Sequence, residues 1–229
     1  MKRITLIAGH YGSGKTELSV NLVINLKKEI EHVAILDMDI ANPYFRSRER
    51  QALLEELGIQ VHHNSFGYDI TEDLPAISAG LKAPLENKAF TTIVDVGGDD
   101  SGARVLNQFK KYFSKEDADL FCVINGNRIE TDNVEGCIKH VLSIQNETGI
   151  KVDGIINNTH MLRETTAEDI LSGLALSKAV CEELELPLIF NVCERHLIQE
   201  VKAAALDKGM DLPELYPIDL YMRPSWLDR

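Results

Sequence analysis

Gly9-His10-Tyr11-Gly12-Ser13-Gly14-Lys15-Thr16 fits the pattern G-x-x-x-x-G-K-[ST], directly after a short apolar run and directly before a helical one. No other feature narrows the fold as much, because such a loop needs a strand that stops, a helix that starts and glycines between them. In a chain of 229 residues the pattern would arise from composition alone on the order of one time in a hundred. Its residue types have a physical purpose. The glycines let the backbone curl with its N–H groups inward, and the helix N-terminus adds partial positive charge, so Gly9 to Thr16 cradle phosphates. Lys15 is placed to reach the terminal phosphates, and the Thr16 hydroxyl to ligate Mg2+, which prefers oxygen donors.

The rest of the chain supplies the scaffold that this loop requires. Apolar, β-branched runs at Ile4–Ala8, Val33–Leu36, Ile59–His62, Thr91–Val96, Leu120–Ile124, Val152–Ile156 and Leu188–Val192 predict about seven strands. Helical patterns separate them, including Leu18, Leu22, Leu26 and Ile30 on one stripe, then Ser47–Leu57, Glu135–Asn146, Thr166–Leu184 and His196–Leu206. Near-continuous apolar strands alternating with helices predict an α/β, doubly wound, mainly parallel sheet with helices on both faces. Residues 1–229 form a single expected domain, with an insertion around 66–87 containing a short helix near Leu74–Leu81. An extended tail over 211–229 carries Pro213, Pro217 and Pro224 with Tyr216, Tyr221 and Trp226, packed by its aromatics or serving as a strap for a partner.

Composition removes several classes. Hydrophobic residues make up 44% and charged residues 26%, which excludes disorder. A net charge of −12 repels nucleic acid and anionic lipid, so neither is an expected partner. Cys122, Cys137, Cys181 and Cys193 form no close pair, which speaks for reduced, buried thiols and against a zinc or iron–sulfur site. The first apolar run is too short for a signal sequence and no segment is long enough to span a membrane, so a cytoplasmic protein is expected.

Two further segments complete the chemistry. Ile93-Val94-Asp95-Val96-Gly97-Gly98 ends a buried strand on a carboxylate, the expected Mg2+-side acid, and Gly98 is placed to sense a γ-phosphate through its backbone N–H. Leu36-Asp37-Met38-Asp39 ends another, and alternation sends both carboxylates towards one side. Either Asp37 or Asp39 then positions the attacking water, and Asp37 adds a metal ligand. His62 and His63 point to opposite faces and do not share a metal.

Together these segments resemble the MinD/ParA and nitrogenase iron protein group of P-loop ATPases, over most of the chain. The resemblance implies ATP-driven switching, with Asp37-Met38-Asp39 as the first switch and Asp95-Val96-Gly97-Gly98 as the second. It places Gly154-Ile155-Ile156-Asn157-Asn158-Thr159 at the base, with Asn158 the adenine contact and Asn157 a close second. Asn191-Val192-Cys193-Glu194-Arg195 falls where the group sets a short loop against the base, though without its usual proline. An Asn side chain suits adenine's edge, and a GTP-type N-K-x-D is absent, which favours ATP.

The chain departs from the group at His10. A second lysine usually follows the loop's first glycine there and reaches across a nucleotide-sandwich dimer. A neutral imidazole lacks that fixed charge, which leaves slow hydrolysis within a monomer, charge from Arg46 or Arg48, or activation by a partner. No cysteine lies between Asp95 and Phe121 to bridge a cluster, and the prolines of the tail break any membrane-binding helix.

The expected protein is thus a Mg2+-dependent ATP-binding switch with slow ATPase activity. ATP and ADP are its ligands, and it acts on a client protein and forms a homodimer if His10 permits. Lys15, Asp37 and Asp39 carry the catalysis. A phosphotransferase acting on a small molecule and a non-hydrolysing maturation factor are the alternatives.

Overall fold

The computed structural model describes residues 1–38, 50–63, 74–98 and 106–222, with the backbone alone for 74–79. Asp39, Arg46, Arg48, residues 66–73 of the insertion, Pro224 and Trp226 lie outside them. Eight strands form one sheet in the order β3-β2-β4-β1-β5-β6-β7-β8. They are β1 Ile4–Gly9, β2 Val33–Met38, β3 Gln60–His63, β4 Thr91–Val96, β5 Ala118–Ile124, β6 Gly154–Asn157, β7 Leu188–Glu194 and β8 Leu215–Ile218. The six strand pairs with a recorded register are all parallel. The described helices include α1 Lys15–Lys27, α2 Gln51–Glu56, α3 Leu74–Glu86, α4 Val134–Thr148, α5 Ala167–Leu184 and α6 Ile198–Asp207. The chain divides into two compact units, Met1–Ile7 with Thr16–Asp119 and Tyr221–Arg229, and Ala8–Lys15 with Leu120–Leu220.

In the first unit, β2 and β4 are buried along nearly their whole length, as their uninterrupted apolar runs require. Their register sets Asp37 level with Asp95, and β1 sets Ile7 level with Asp95, two residues before the glycine loop begins. Arg3 fixes the start of β1 through a guanidinium fork on Asp117, whose carboxyl it holds below its ordinary range. The expected short helix in the insertion is longer than its pattern suggested, running from Leu74 to Glu86 with Pro84 inside it.

In the second unit, β5 and β6 are fully buried. Helix α4 is capped by the Asn133 side chain, which accepts from the Gly136 N–H, and ends at Gly149 in the left-handed conformation. A reciprocal capping box between Thr166 and Asp169 starts α5. All four cysteines are buried free thiols, and burial pushes Cys122 and Cys137 up to about 12.

One strand was not expected. Leu215–Ile218 lies in the tail and pairs with β7 as an edge strand, with Pro217 opposite Cys193. An edge position tolerates the proline because its missing N–H leaves no interior ladder bond unmade. What holds the strand is packing. Leu215 joins Ala167, Ile170, Leu171, Leu197 and Val201 in one apolar cluster, and Tyr216 stacks tilted on Phe190 with centroids 4.5 Å apart.

Candidate nucleotide-binding site

Between β1 and α1 the backbone makes the curl that its glycines allow. Gly9, Gly12 and Gly14 have φ of 153°, 76° and 80°. At Gly9 a Cβ would stand 2.5 Å from the Val123 carbonyl oxygen, and at Gly14 one would stand 2.3 Å from the Asn158 amide nitrogen. The turn closes with the Ser13 N–H donating to the His10 carbonyl at 3.1 Å.

The loop is braced from behind by three side chains from distant parts of the chain. Asn125 Nδ2 and Arg128 Nε both donate to the Gly12 carbonyl, at 3.2 and 3.0 Å, and Asn158 Nδ2 donates to the Ser13 carbonyl at 2.8 Å. Once its carbonyls are engaged this way, a curled backbone is free to turn N–H groups to the concave side, where an anion binds. Lys15, only 6% exposed, donates from Nζ to the His10 carbonyl at 3.1 Å. That holds the ammonium folded back over the loop.

His10 occupies the position of the missing lysine, and its ring is engaged sideways. Nδ1 donates to the Tyr11 carbonyl at 3.0 Å and lies 3.7 Å from the Glu130 carboxylate. The ring meets His140 edge-on at 5.5 Å. Burial, followed by the charges of His10 and Lys15, lowers His140 to about 4, so it is neutral at pH 7. Tyr11, at the crest of the loop, is exposed.

On the carboxylate side, Asp37 and Asp95 are both buried and level on adjacent strands. Among the described residues no three His, Cys, Asp or Glu side chains converge as a metal site of their own. The donor set of Thr16, Asp37 and Asp95 therefore suits a hard cation that takes its remaining oxygens from phosphates and water. Thr16 is nearly buried, and Gly98 follows the end of β4 by two residues.

The asparagines after β6 are both engaged within the protein. Asn157 is fully buried and its amide is fully used. Nδ2 donates to the Ile170 carbonyl at 3.2 Å and to Asn191 Oδ1 at 2.7 Å, while Oδ1 accepts from the N–H and hydroxyl of Thr159. Asn157 thus ties β6 to β7 and to the helix that follows. Asn158 is tied to the phosphate loop through Ser13. Asn157→Ala is expected to cost about 2 kcal/mol or more of stability in a urea melt, and to leave the ratio of affinities for different nucleotides unchanged in titration.

Sequence reading missed Asn125, Arg128 and Glu17. Glu17, in the first turn of α1, accepts from the backbone N–H groups of Tyr221 at 2.6 Å and Met222 at 3.1 Å, and Arg50 Nε donates to the Tyr221 carbonyl. The tail is thus held by backbone capture and not by its aromatics alone. Only the run of N-G-N-R at residues 125–128, closing β5 with turn-forming residues, hinted at a loop with a task.

Sequence comparison gives no match to a family model or to a curated protein. Structure comparison gives many. The cell division protein FtsY of Thermotoga maritima superposes with a TM-score of 0.55 at 22% identity, covering 81% of this chain and 59% of that protein. The fold is that of a P-loop NTPase. The signal recognition particle 54 kDa protein of Aeropyrum pernix, solved with GDP, gives 0.48 at 23% identity over 76% of this chain and 39% of its own. FlhF, solved with GTP and Mg2+, gives 0.48 at 15% identity over 76% of this chain and 61% of its own. At these identities the likeness extends to the fold alone, and this P-loop NTPase fold spans about three fifths of the FtsY chain. Among the described residues no helix is long and apolar enough to cross a membrane.

Proposed function

We propose that the chain binds a nucleoside triphosphate with Mg2+ and hydrolyses it slowly, and that the terminal phosphate sets its affinity for a client protein. The braced loop carries this reading. Asn125, Arg128 and Asn158 hold the carbonyls of Gly12 and Ser13, and Lys15 stands folded against the same turn. Lys15 and the loop's N–H groups would take the β- and γ-phosphates, and Thr16, Asp95 and Asp37 the metal. Bound there, Mg2+ would neutralise charge on the phosphate oxygens.

The chain's own residues then divide the work. Lys15 stabilises negative charge, Asp37 or Asp39 orients water, and the Gly98 N–H registers whether the γ-phosphate is present. Slow turnover follows from His10, whose ring is turned to Tyr11 and Glu130 and brings no fixed cation. Lacking such a cation costs about 10³-fold or more in rate. The MinD/ParA-like reading, with a nucleotide-bound homodimer, stands on the same loop and switch segments. ATP keeps the absence of N-K-x-D in its favour, with Asn158 as the proposed base contact and Asn157, whose amide is engaged inside the protein, behind it.

Amide hydrogen exchange tests the switch. Residues 95–98 are expected to slow with a non-hydrolysable triphosphate and Mg2+ but not with the diphosphate. Identical exchange in both states would remove it.

A further inference from the structure

His160 stands three residues past the end of β6, and its ring lies against the phosphate loop. A Cβ placed at Gly14 would come within 2.9 Å of His160 Nε2, so the imidazole fills the space that a side chain there would need. Its backbone is fixed to the brace already described. The His160 N–H donates to Asn125 Oδ1 and its carbonyl accepts from Asn125 Nδ2, each at 3.2 Å, and the same Nδ2 donates to the Gly12 carbonyl. One asparagine therefore holds both the loop and the histidine beside it.

The proton of the ring has a fixed place. Nδ1 accepts from the Leu162 N–H at 3.3 Å, so in the neutral imidazole the hydrogen sits on Nε2. The turn that makes this bond is strained. Leu162 is held at φ 55°, a left-handed conformation that leucine rarely adopts. Thr165 secures the turn, its hydroxyl donating to the Leu162 carbonyl and accepting from the Met161 N–H. Burial, followed by the charge of Arg128, lowers His160 to about 4, so at pH 7 the ring is neutral and Nε2 is an N–H donor.

That donor is buried and meets no acceptor among the described residues. A buried N–H without a partner is costly, and where one persists a ligand is a common reason. Gly14 marks the place for the acceptor. It sits in the curl whose N–H groups turn inward to an anion, one residue before Lys15. An N–H donor gains more from an anionic oxygen than from a neutral one.

We propose that His160 is a further phosphate-binding residue: its Nε2–H donates to a phosphate oxygen held at Gly14, whatever base the nucleotide carries. The inference rests on the nucleotide reading above and adds to the loop a group from a distant part of the chain. A neutral ring suits this task. It brings a directed hydrogen bond without charge, so it grips the phosphates and leaves the missing cation at His10 unreplaced.

Two measurements on the full chain test this. In calorimetric titrations with Mg2+, His160→Ala is expected to weaken ADP, GDP and CDP by the same factor, about tenfold or more. His160→Gln, whose amide nitrogen stands near the place of Nε2, is expected to recover most of that loss. In the natural chain with isotopically labelled histidine, saturating pyrophosphate and Mg2+ are expected to shift the His160 Nε2 resonance, although pyrophosphate has neither ribose nor base. Unchanged affinity in a folded His160→Ala, a loss confined to one base, or a loss in His160→Gln as large as in His160→Ala would overturn the phosphate role. So would a resonance that pyrophosphate leaves unmoved. Should His160→Ala not fold, the resonance in the natural chain decides. These results with the diphosphates still bound overturn the histidine alone, whereas failure of pyrophosphate and every diphosphate to bind would overturn the nucleotide reading as well.

Discussion

Lys15→Ala is expected to lower triphosphate affinity by about 100-fold or more, measured by titration in Mg2+, while leaving the apo fold intact. The two halves of that expectation have different causes. In the apo chain the Lys15 ammonium is nearly buried with a hydrogen bond to the His10 carbonyl. Removing charge and hydrogen bond together gives up little net stability, because the desolvation cost of the ammonium goes with them. The loop's shape persists, since Asn125, Arg128 and Asn158 hold its carbonyls independently of Lys15. With a triphosphate bound, the same ammonium would face concentrated negative charge in a poorly solvated cleft, where charge-assisted bonds are strongest. A thermal melt close to that of the natural chain, with affinity lost, is the expected pair of results. Unchanged affinity would show that the loop holds no phosphate.

Asp95→Asn is expected to separate stability from activity. Turnover under saturating triphosphate should fall by about 10²-fold or more, and the tightening of binding by Mg2+ should shrink towards the value seen with chelator. The metal-free, nucleotide-free protein should melt close to the natural one, because asparagine keeps the size of the side chain it replaces. Asp95 and Asp37 are buried at one level on neighbouring strands. Replacing one carboxylate by an amide takes away a hard, charged oxygen donor of the kind that Mg2+ requires. A large loss of melting temperature would instead make Asp95 a structural carboxylate.

Where sequence reading succeeded and where it failed follow from the range of the forces involved. Strands β1, β2, β4, β5 and β6 were legible because strands buried on both faces are apolar nearly throughout. Strand β8 was not, because Leu215-Tyr216-Pro217-Ile218 has no pattern of its own and is a strand only through Leu215 in the α5–α6 cluster and Tyr216 on Phe190. Asn157 shows the same limit within the site. Its amide suits adenine, yet Asn191 lies 34 residues away in sequence and engages it in the interior.

By itself the sequence determined the turn from Gly9 to Thr16, the helix that follows it and the carboxylates of Asp37 and Asp95 at strand ends, since glycine freedom, helix dipoles and strand burial act on neighbouring residues. Only the tertiary structure decided what holds that turn open. Asn125, Arg128 and Asn158 reach the loop across more than a hundred residues of chain. A hydrogen bond depends on where two groups stand in space, and no local pattern encodes that for partners so far apart.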